Sequence, residues 1–364
     1  MSLNHLDHAS GRPRPARRSL RRYRAVGALA AAAFALAACG GGTDGGTDGG
    51  TDAGAGGGED AAAGYPEQDI TFVVPFSAGG PTDTVTRLIA EPMAAELGAS
   101  IIVQNVEGAG GTIAAGQVAG AESDGYTVLM HHIGMSTAPA LYADLPYEPL
   151  EDFKPIGLVT EVPMTIIARK DFEPSTFEEL TDYLKANADD VTLANAGVGA
   201  ASQLCGLLLQ EALGVKLTEV PYKGTGPALT DLVGGQVDLM CDQTTNTTGQ
   251  IKGDEVKAYA VTTPERVESL PDLPTTEEAG LPELQVGVWH GLYVPSETPD
   301  AVVEKLTAAL QEALGDDNVV TQLGELGAAP SSQEDATPEA LREQLASQTE
   351  LWAPIIKDAG VTAQ

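Results

Sequence analysis

Cysteine is scarce in this chain: three in 364 residues, at positions 39, 205 and 241. There is no C-x-x-C pair, and the five histidines show no ligand spacing, so nothing in the sequence points to a metal site or to a cofactor held through one. His131 and His132 are adjacent on an expected strand, where neighbours face opposite ways, which argues against a chelating pair. Basic residues are also few, 20 against 52 acids, for a net charge of −32. The first 39 residues hold seven of the basic residues and one acid, leaving 13 basic and 51 acidic residues, a net of −38. Nucleic acid and anionic membrane surfaces are poor partners for such a body, and an anionic ligand would need local N–H donors to overcome the field. The G-x-G-x-x-G and G-x-x-x-x-G-K-[ST] spacings are missing, so neither a dinucleotide nor a nucleoside triphosphate is indicated. The G-x-S-x-G elbow of many hydrolases is missing too.

What the chain does have begins with a leader. Seven arginines between Arg12 and Arg24 precede the apolar stretch Ala25–Ala38, which is too short to span a bilayer permanently. Leu36-Ala37-Ala38-Cys39 resembles the lipobox of bacterial lipoproteins. The resemblance implies cleavage before Cys39 and a lipid on its sulfur and new N-terminus. Residues 1–39 are therefore expected to be an export signal, by the general or the twin-arginine route. Residues 40–64 repeat GGTD and related small residues with almost nothing apolar to bury, as in a flexible tether. No later apolar run is long enough to cross a membrane.

The body of about 300 residues is ample for two domains with their own cores. Its centre is Ile70–Asp83, ITFVVPFSAGGPTD. Ile70–Val74 reads as a buried strand, Pro75–Pro81 as a glycine-containing break, and Thr82 and Asp83 as the approach to a helix over VTRLIAEPMAAEL. A strand, a small-residue loop and a helix start can hold an anion with free N–H groups and the positive end of the helix dipole. Strands and helices then alternate. Expected strands are Ser100–Gln104, Tyr126–His131, Val191–Ala194, Lys216–Val220, Val237–Met240 and Val256–Val261. Phe153–Thr160 and Met164–Ala168 read as separate extended segments. Gln285–Trp289 and Leu292–Val294 are two further expected strands. Helices are expected over Thr112–Ala119, from the Gly134–Ser136 turn to Tyr142, and over Thr176–Ala188, Ser202–Leu213, Gly226–Val233, Pro299–Leu314 and Pro338–Ala359. The alternation indicates an α/β fold with largely parallel sheets covered on both faces. Three loops share one design, each following a strand and opening a helix with small residues: Phe76–Asp83, Ala194–Gln203 and Tyr222–Thr225. Loops at the carboxyl ends of strands on two facing sheets would line a cleft with backbone donors.

The segments YPEQDITFVVPFSAGGPTDTVTR, VEGAGGTIAAGQVA, DGYTVLM, LYADLPYEPLEDFKPIGLV, EVPYKGTGPALTDLVGGQVDLMCD, LPDLPTTEEAG and WHGLYVPSETP together carry a resemblance to a known family. The chain resembles, over nearly all of Tyr65–Ala359, the substrate-binding receptors of tripartite tricarboxylate transporters, the Bug receptor family. Asn195, Ala200–Ser202 and His290 depart from the commoner pattern and bear on the choice of ligand. The resemblance implies a two-lobed periplasmic-binding-protein-like (Venus flytrap, type II-like) α/β fold with two chain crossovers. Residues 65–164 and 289–364 would form lobe 1 and residues 165–288 lobe 2. A small carboxylate would be trapped between them, partly through ordered waters, and passed to membrane permease subunits. The receptor would act as a monomer and do no chemistry.

Carried over residue by residue, the first-lobe ligand contacts fall on Phe76, Ser77, Gly79, Gly80, Thr82 and Asp83. Those of the second lobe fall on Gly197, Gly199, Ala200, Ser202 and Gln203. Asp242, Gln243, His132 and Ser136 are further candidates. Asp83 is the odd member, since an acid repels an anion; it either caps its own helix or meets a water, amine or hydroxyl. Lys223 is the basic residue of these loops and reads more readily as solvated than as a ligand contact. An exported chain permits a disulfide between Cys205 and Cys241, with two buried free thiols as the alternative. A receptor that reports to a membrane signalling protein would use the same cleft. A secreted hydrolase would need an activated nucleophile, which no motif supplies.

Overall fold

The computed structural model describes residues 64–363. In chain order, β1 (Ile70–Val74) leads to α1 (Pro81–Leu97), β2 (Ile101–Asn105), α2 (Thr112–Ala119), β3 (Thr127–His132) and α3 (Gly134–Leu141). Next come β4 (Phe153–Arg169), α4 (Phe177–Asn187), β5 (Thr192–Asn195), α5 (Ala201–Leu213), β6 (Thr218–Pro221), α6 (Thr225–Val233), β7 (Leu239–Gln243), α7 (Thr244–Lys252) and β8 (Val256–Val261). Then follow β9 (Gly287–Pro295), α8 (Asp300–Leu314), α9 (Asp317–Glu325), β10 (Ala329–Pro330) and α10 (Pro338–Asp358).

The strands lie in the order β2-β1-β3-β9-β4-β7-β5-β6, with β8 and β10 also paired to β4. β1 runs parallel to β2 and β3, and β5 runs parallel to β6 and β7. Between these two parallel groups the sheet is antiparallel, through β3–β9, β9–β4 and β4–β7. The expectation of largely parallel sheets therefore holds at the two flanks and fails at the centre. The centre is where the chain crosses between lobes. β4 pairs with β9 from Phe153 to Pro163 and with β7 from Met164 onward, so one 17-residue strand joins the two parallel groups of the sheet. β9 starts at Gly287, opposite Pro163, and carries the chain back. The sequence reads β4 as two pieces because Pro163 and the shifts of register at Pro155/Gly157 and Leu158/Thr160 interrupt its alternation.

The first lobe shows why β1 is apolar at every position but Thr71. Ile70 and Phe72, with Val128 and Met130 of β3, pack on Val85, Ile89 and Met93 of α1 and on Val302, Leu306 and Leu310 of α8. The alternate residues Val73 and Leu129 join the cluster that holds Ala114, Met135, Leu141, Leu341 and Trp352, from α2, α3 and α10. A strand covered on both faces has no polar side, which is the origin of its apolar run, interrupted by the half-buried Thr71. Burying a side chain such as Ile89 or Met93 contributes about 1.5–3 kcal/mol. In the second lobe Cys205 of α5 and Cys241 of β7 are joined by a disulfide, with Cα atoms 6.0 Å apart.

Two helices have no counterpart in the sequence reading. α7 is TTNTTGQIK, whose β-branched threonines have modest helix propensity. Thr244, Thr245, Thr247 and Thr248 are all buried, so tertiary packing holds it. α9 carried a readable signal: Asp316 accepts from the N–H groups of Asn318 and Val319, and Val319 and Leu323 form its buried stripe.

Candidate functional site

The parallel strands of both lobes end at a shared cleft. β1 ends at Val74, and Gly79, in the left-handed region at φ 76°, turns the chain into α1. Pro81 stands at the helix start, where a missing N–H costs nothing. α1 therefore begins four residues ahead of the expected VTRLIAEPMAAEL. β5 ends at Asn195 and, through Gly197 and Gly199 at φ 100° and 85°, feeds α5. β7 ends at Gln243 and passes directly into α7. The helix starts at Gly80, Ala200, Gly224 and Gln243 make no side-chain cap bond. α4 and α10, by contrast, are capped by Thr176 and Thr337.

Glycine lets the lobes meet backbone to backbone. A Cβ on Gly110 would lie 1.9 Å from the carbonyl oxygen of Val198, and one on Gly224 would lie 2.1 Å from Ser77 Oγ. The Ser77 N–H donates to the Lys223 carbonyl at 3.3 Å, and the Tyr142 hydroxyl donates to the Val198 carbonyl at 2.8 Å.

Between the lobes is a cavity of about 20 Å³, room for one water. Phe76, Pro81, Thr82 and His132 line it from the first lobe. Ala196, Ala200, Ala201, Ser202, Thr225, Asp242 and Gln243 line it from the second. No lysine or arginine is among these described residues. Asp242 is fully buried; Asn246 Nδ2 donates to its Oδ2 at 2.5 Å, while Oδ1 has no partner. Gln243 Oε1 is likewise buried without a partner. Burial raises the Asp242 pKa to about 7, against the lowering influence of Asn246 and of the nearby Gln243 N–H and Thr225 hydroxyl.

Phe76 stacks on His132, centroids 4.7 Å apart and planes at 20°. It also meets the edge of His131 at 6.1 Å. Both imidazoles thus reach one phenyl ring, because β3 ends at His132 and alternation no longer separates them. His290, paired with His132 across β9, lies 3.4 Å from Thr82 Oγ1 through its Nε2. Burial holds all three imidazoles neutral: His131 falls to about 4, His290 to about 3, and His132 well below the ordinary histidine value.

The remaining expected residues serve the loops. Asp83 does not line the cavity. Its Oδ2 accepts from the Gly79 N–H and from Arg87 Nε, both at 2.9 Å, and its Oδ1 accepts from Asn105 Nδ2 at 3.0 Å. Burial alone would raise its pKa, yet the bonds from Arg87, Gly79 and Asn105 together hold it below the ordinary aspartate value. Ser202 Oγ accepts from the Ala196 N–H at 2.9 Å, Gln203 Oε1 from the Gly199 N–H at 3.4 Å, and Ser136 Oγ donates to the Ile133 carbonyl. Lys223 is 76% exposed and 4.0 Å from Glu107. Ser77, Gly79, Gly80, Gly197 and Gly199 shape the loops without facing the cavity. Pro81, Ala196, Ala201 and Thr225 line it without having been named as ligand contacts, although all four lie in the three small-residue loops; Pro81, Ala201 and Thr225 open helices and Ala196 follows the end of β5.

The model of the tripartite tricarboxylate transporter family receptor matches residues 85–361. The chain belongs to this receptor family. Among solved structures, the periplasmic binding protein BugD is 55% identical, covers 82% of this chain and all of its own, and superposes with a TM-score of 0.81. MatC from Rhodopseudomonas palustris, with bound malate, is 44% identical over 80% of this chain and all of its own, with a TM-score of 0.78. The R. palustris protein Rpa4515, with adipate, is 31% identical over 82% of this chain and 99% of its own, also at 0.78. The fold is that of these two-lobed binding proteins, and the family is one of receptors, not enzymes.

Proposed function

We infer that this receptor captures a small carboxylate, of the size class of malate or adipate, between its lobes and hands it to the permease subunits of a tripartite-type transporter. The observation that carries this reading is the convergence of uncapped helix starts on one cavity that has no lysine or arginine in its lining. Backbone N–H groups and helix dipoles are then the means of holding an anion against a strongly acidic body. The ligands named for two relatives support the class. Phe76, Thr82, His132, Ala200, Ser202, Asp242 and Gln243 would touch the ligand or its waters. Ser77, Gly79, Gly80, Asp83, Ser136, Gly197, Gly199 and Gln203 would hold the loops. The lobes would divide near 164 and 289, as the resemblance implies. The chain would be exported and tethered by a lipid on Cys39, which lies outside the described residues together with the leader and most of the tether. Among the described residues no helix is long and apolar enough to cross a membrane.

A thermal-shift screen against dicarboxylates, tricarboxylates, aromatic acids and amino acids tests the reading. A ligand at a hundred times its Kd stabilises by about 2.7 kcal/mol. If no acid in the panel raises the Tm, the carboxylate assignment is wrong.

A further inference from the structure

We propose that capture of a carboxylate in this cleft takes up one proton from solvent, held on Asp242 as a neutral acid that donates its O–H to the ligand. The proposal rests on the carboxylate reading above.

Its basis is geometric. Asp242, next to last in β7, lines the cavity with none of its surface exposed to solvent, and its Oδ1 has no hydrogen-bond partner. Its other oxygen is taken by Asn246. The groups set around it are neutral on every side. β4 contributes Thr165, whose hydroxyl donates to the Asp242 carbonyl at 3.1 Å. α5 contributes Ser202, α6 Thr225, α1 Thr82 and the chain after β5 Ala196. From β3 comes His132, the other titratable group on the lining, with His131 and His290 behind it, and all three are neutral imidazoles. The charged ends of neighbouring elements are engaged elsewhere. Arg169 of β4 pairs with Asp238 and Asp171, Lys252 of α7 binds the Glu325 carbonyl, and Lys223 lies beside Glu107.

A ligand carboxylate entering this cavity therefore meets a second carboxyl and no side-chain cation. Two unscreened anions at hydrogen-bond distance in a buried site cannot both stay ionised, which is the rule for carboxyl pairs that share a site. One proton removes the repulsion and turns an unpartnered acceptor into a donor aimed at the ligand. The balance is simple: ionised Asp242, a ligand dianion and one proton from the buffer give a neutral carboxyl hydrogen-bonded to the dianion, and no other bond forms or breaks. Burial has already brought Asp242 to about 7, so the proton is added at little cost near neutrality. The rival arrangement is a ligand ammonium paired with ionised Asp242, which takes up no proton.

The test is calorimetry on the purified full-length chain with succinate, malate and adipate, in buffers of low and high ionisation enthalpy. Uptake should approach one proton per ligand near pH 8 and fall toward zero near pH 6, with Kd weakening about tenfold per pH unit above neutrality. Asp242→Asn should bind with no proton uptake and a flat pH profile, since an amide also donates. A Kd flat from about pH 6 to about pH 9, with a binding heat independent of buffer, overturns the proposal. So does loss of succinate binding in Asp242→Asn when the wild type takes up no proton. If that variant does not fold, the wild-type proton count decides alone. Failure of every acid to bind at any pH overturns the carboxylate reading, and this proposal with it.

Discussion

Thr244 donates its hydroxyl to the carbonyl of Gly327, 3.1 Å away and 83 residues later in the chain. Two further bonds extend this contact along one face of α7. Thr248 Oγ1 reaches the Leu326 carbonyl at 3.1 Å and Lys252 Nζ reaches the Glu325 carbonyl at 3.2 Å. Carbonyls at a helix end have no partner within the helix, and here the end of α9 is completed by α7, a helix distant in sequence. The first prediction follows from this clasp. Replacing Thr244 and Thr248 together by valine should lower the unfolding free energy by about 2 kcal/mol, about 1 for each bond. Urea titration measures it, and an unchanged midpoint would show that water substitutes for both bonds.

Closure should depend on Gly110. Its φ of 60° and the Val198 carbonyl beside it leave no place for a side chain. Gly110→Ala should weaken ligand binding at least about tenfold while costing the fold about 1–2 kcal/mol, the strain of a left-handed alanine. Calorimetry and urea unfolding of the same preparation separate the two effects. Wild-type affinity would mean that the lobes do not need this approach.

Asp83 should support stability in a pH-dependent way. Its pKa is held below the ordinary value, so its contribution is full above the unfolded pKa of about 3.9 and fades as pH falls through the lower folded value. Asp83→Asn should cost about 1–3 kcal/mol at neutral pH, as expected for hydrogen bonds to a charged group. The gap to wild type should close in acid. A gap that stays constant into acid would assign the loss to shape and not to charge.

The bridge between Cys205 and Cys241 closes a loop across a sequence separation of 36. The double variant Cys205→Ala, Cys241→Ala should be less stable by about 3–4 kcal/mol on the chain-entropy account. Mass spectrometry gives an independent check. Alkylation of both thiols in denaturant without reductant would show that the cysteines are free.

The lipid anchor is tested at Cys39. Cys39→Ala should move the protein from the membrane fraction to the soluble fraction of broken cells. Fractionation identical to wild type would leave the lipobox reading without support.

Local features of the site were legible and distant ones were not. The Gly79-Gly80 pair after an apolar run announced the first loop, and Asp83 could be read as a helix brace because its own chain neighbours explain it. Its partner Asn105 could not, since it arrives through the parallel pairing of β1 with β2. Alternation placed His131 and His132 on opposite faces, a rule that fails where a strand stops. The length of β4 was hidden by Pro163, a residue that a strand tolerates at an irregularity in its pairing. The clasp of α7 on α9 joins two helices that propensity alone did not reveal.

Helices start beside the cleft at Pro81, Ala201, Thr225 and Thr244, and a peptide group has no codon of its own. Point mutation can change Asp242, Gln243, Thr225 or Ser202, but it leaves the N–H donors of the chain in place as long as the loops keep their glycines. On the proposed reading, anion capture is hard to lose in one step, whereas the preference among anions rests on a few replaceable side chains. Such a receptor can drift from one acid to another across generations without passing through a form that binds none.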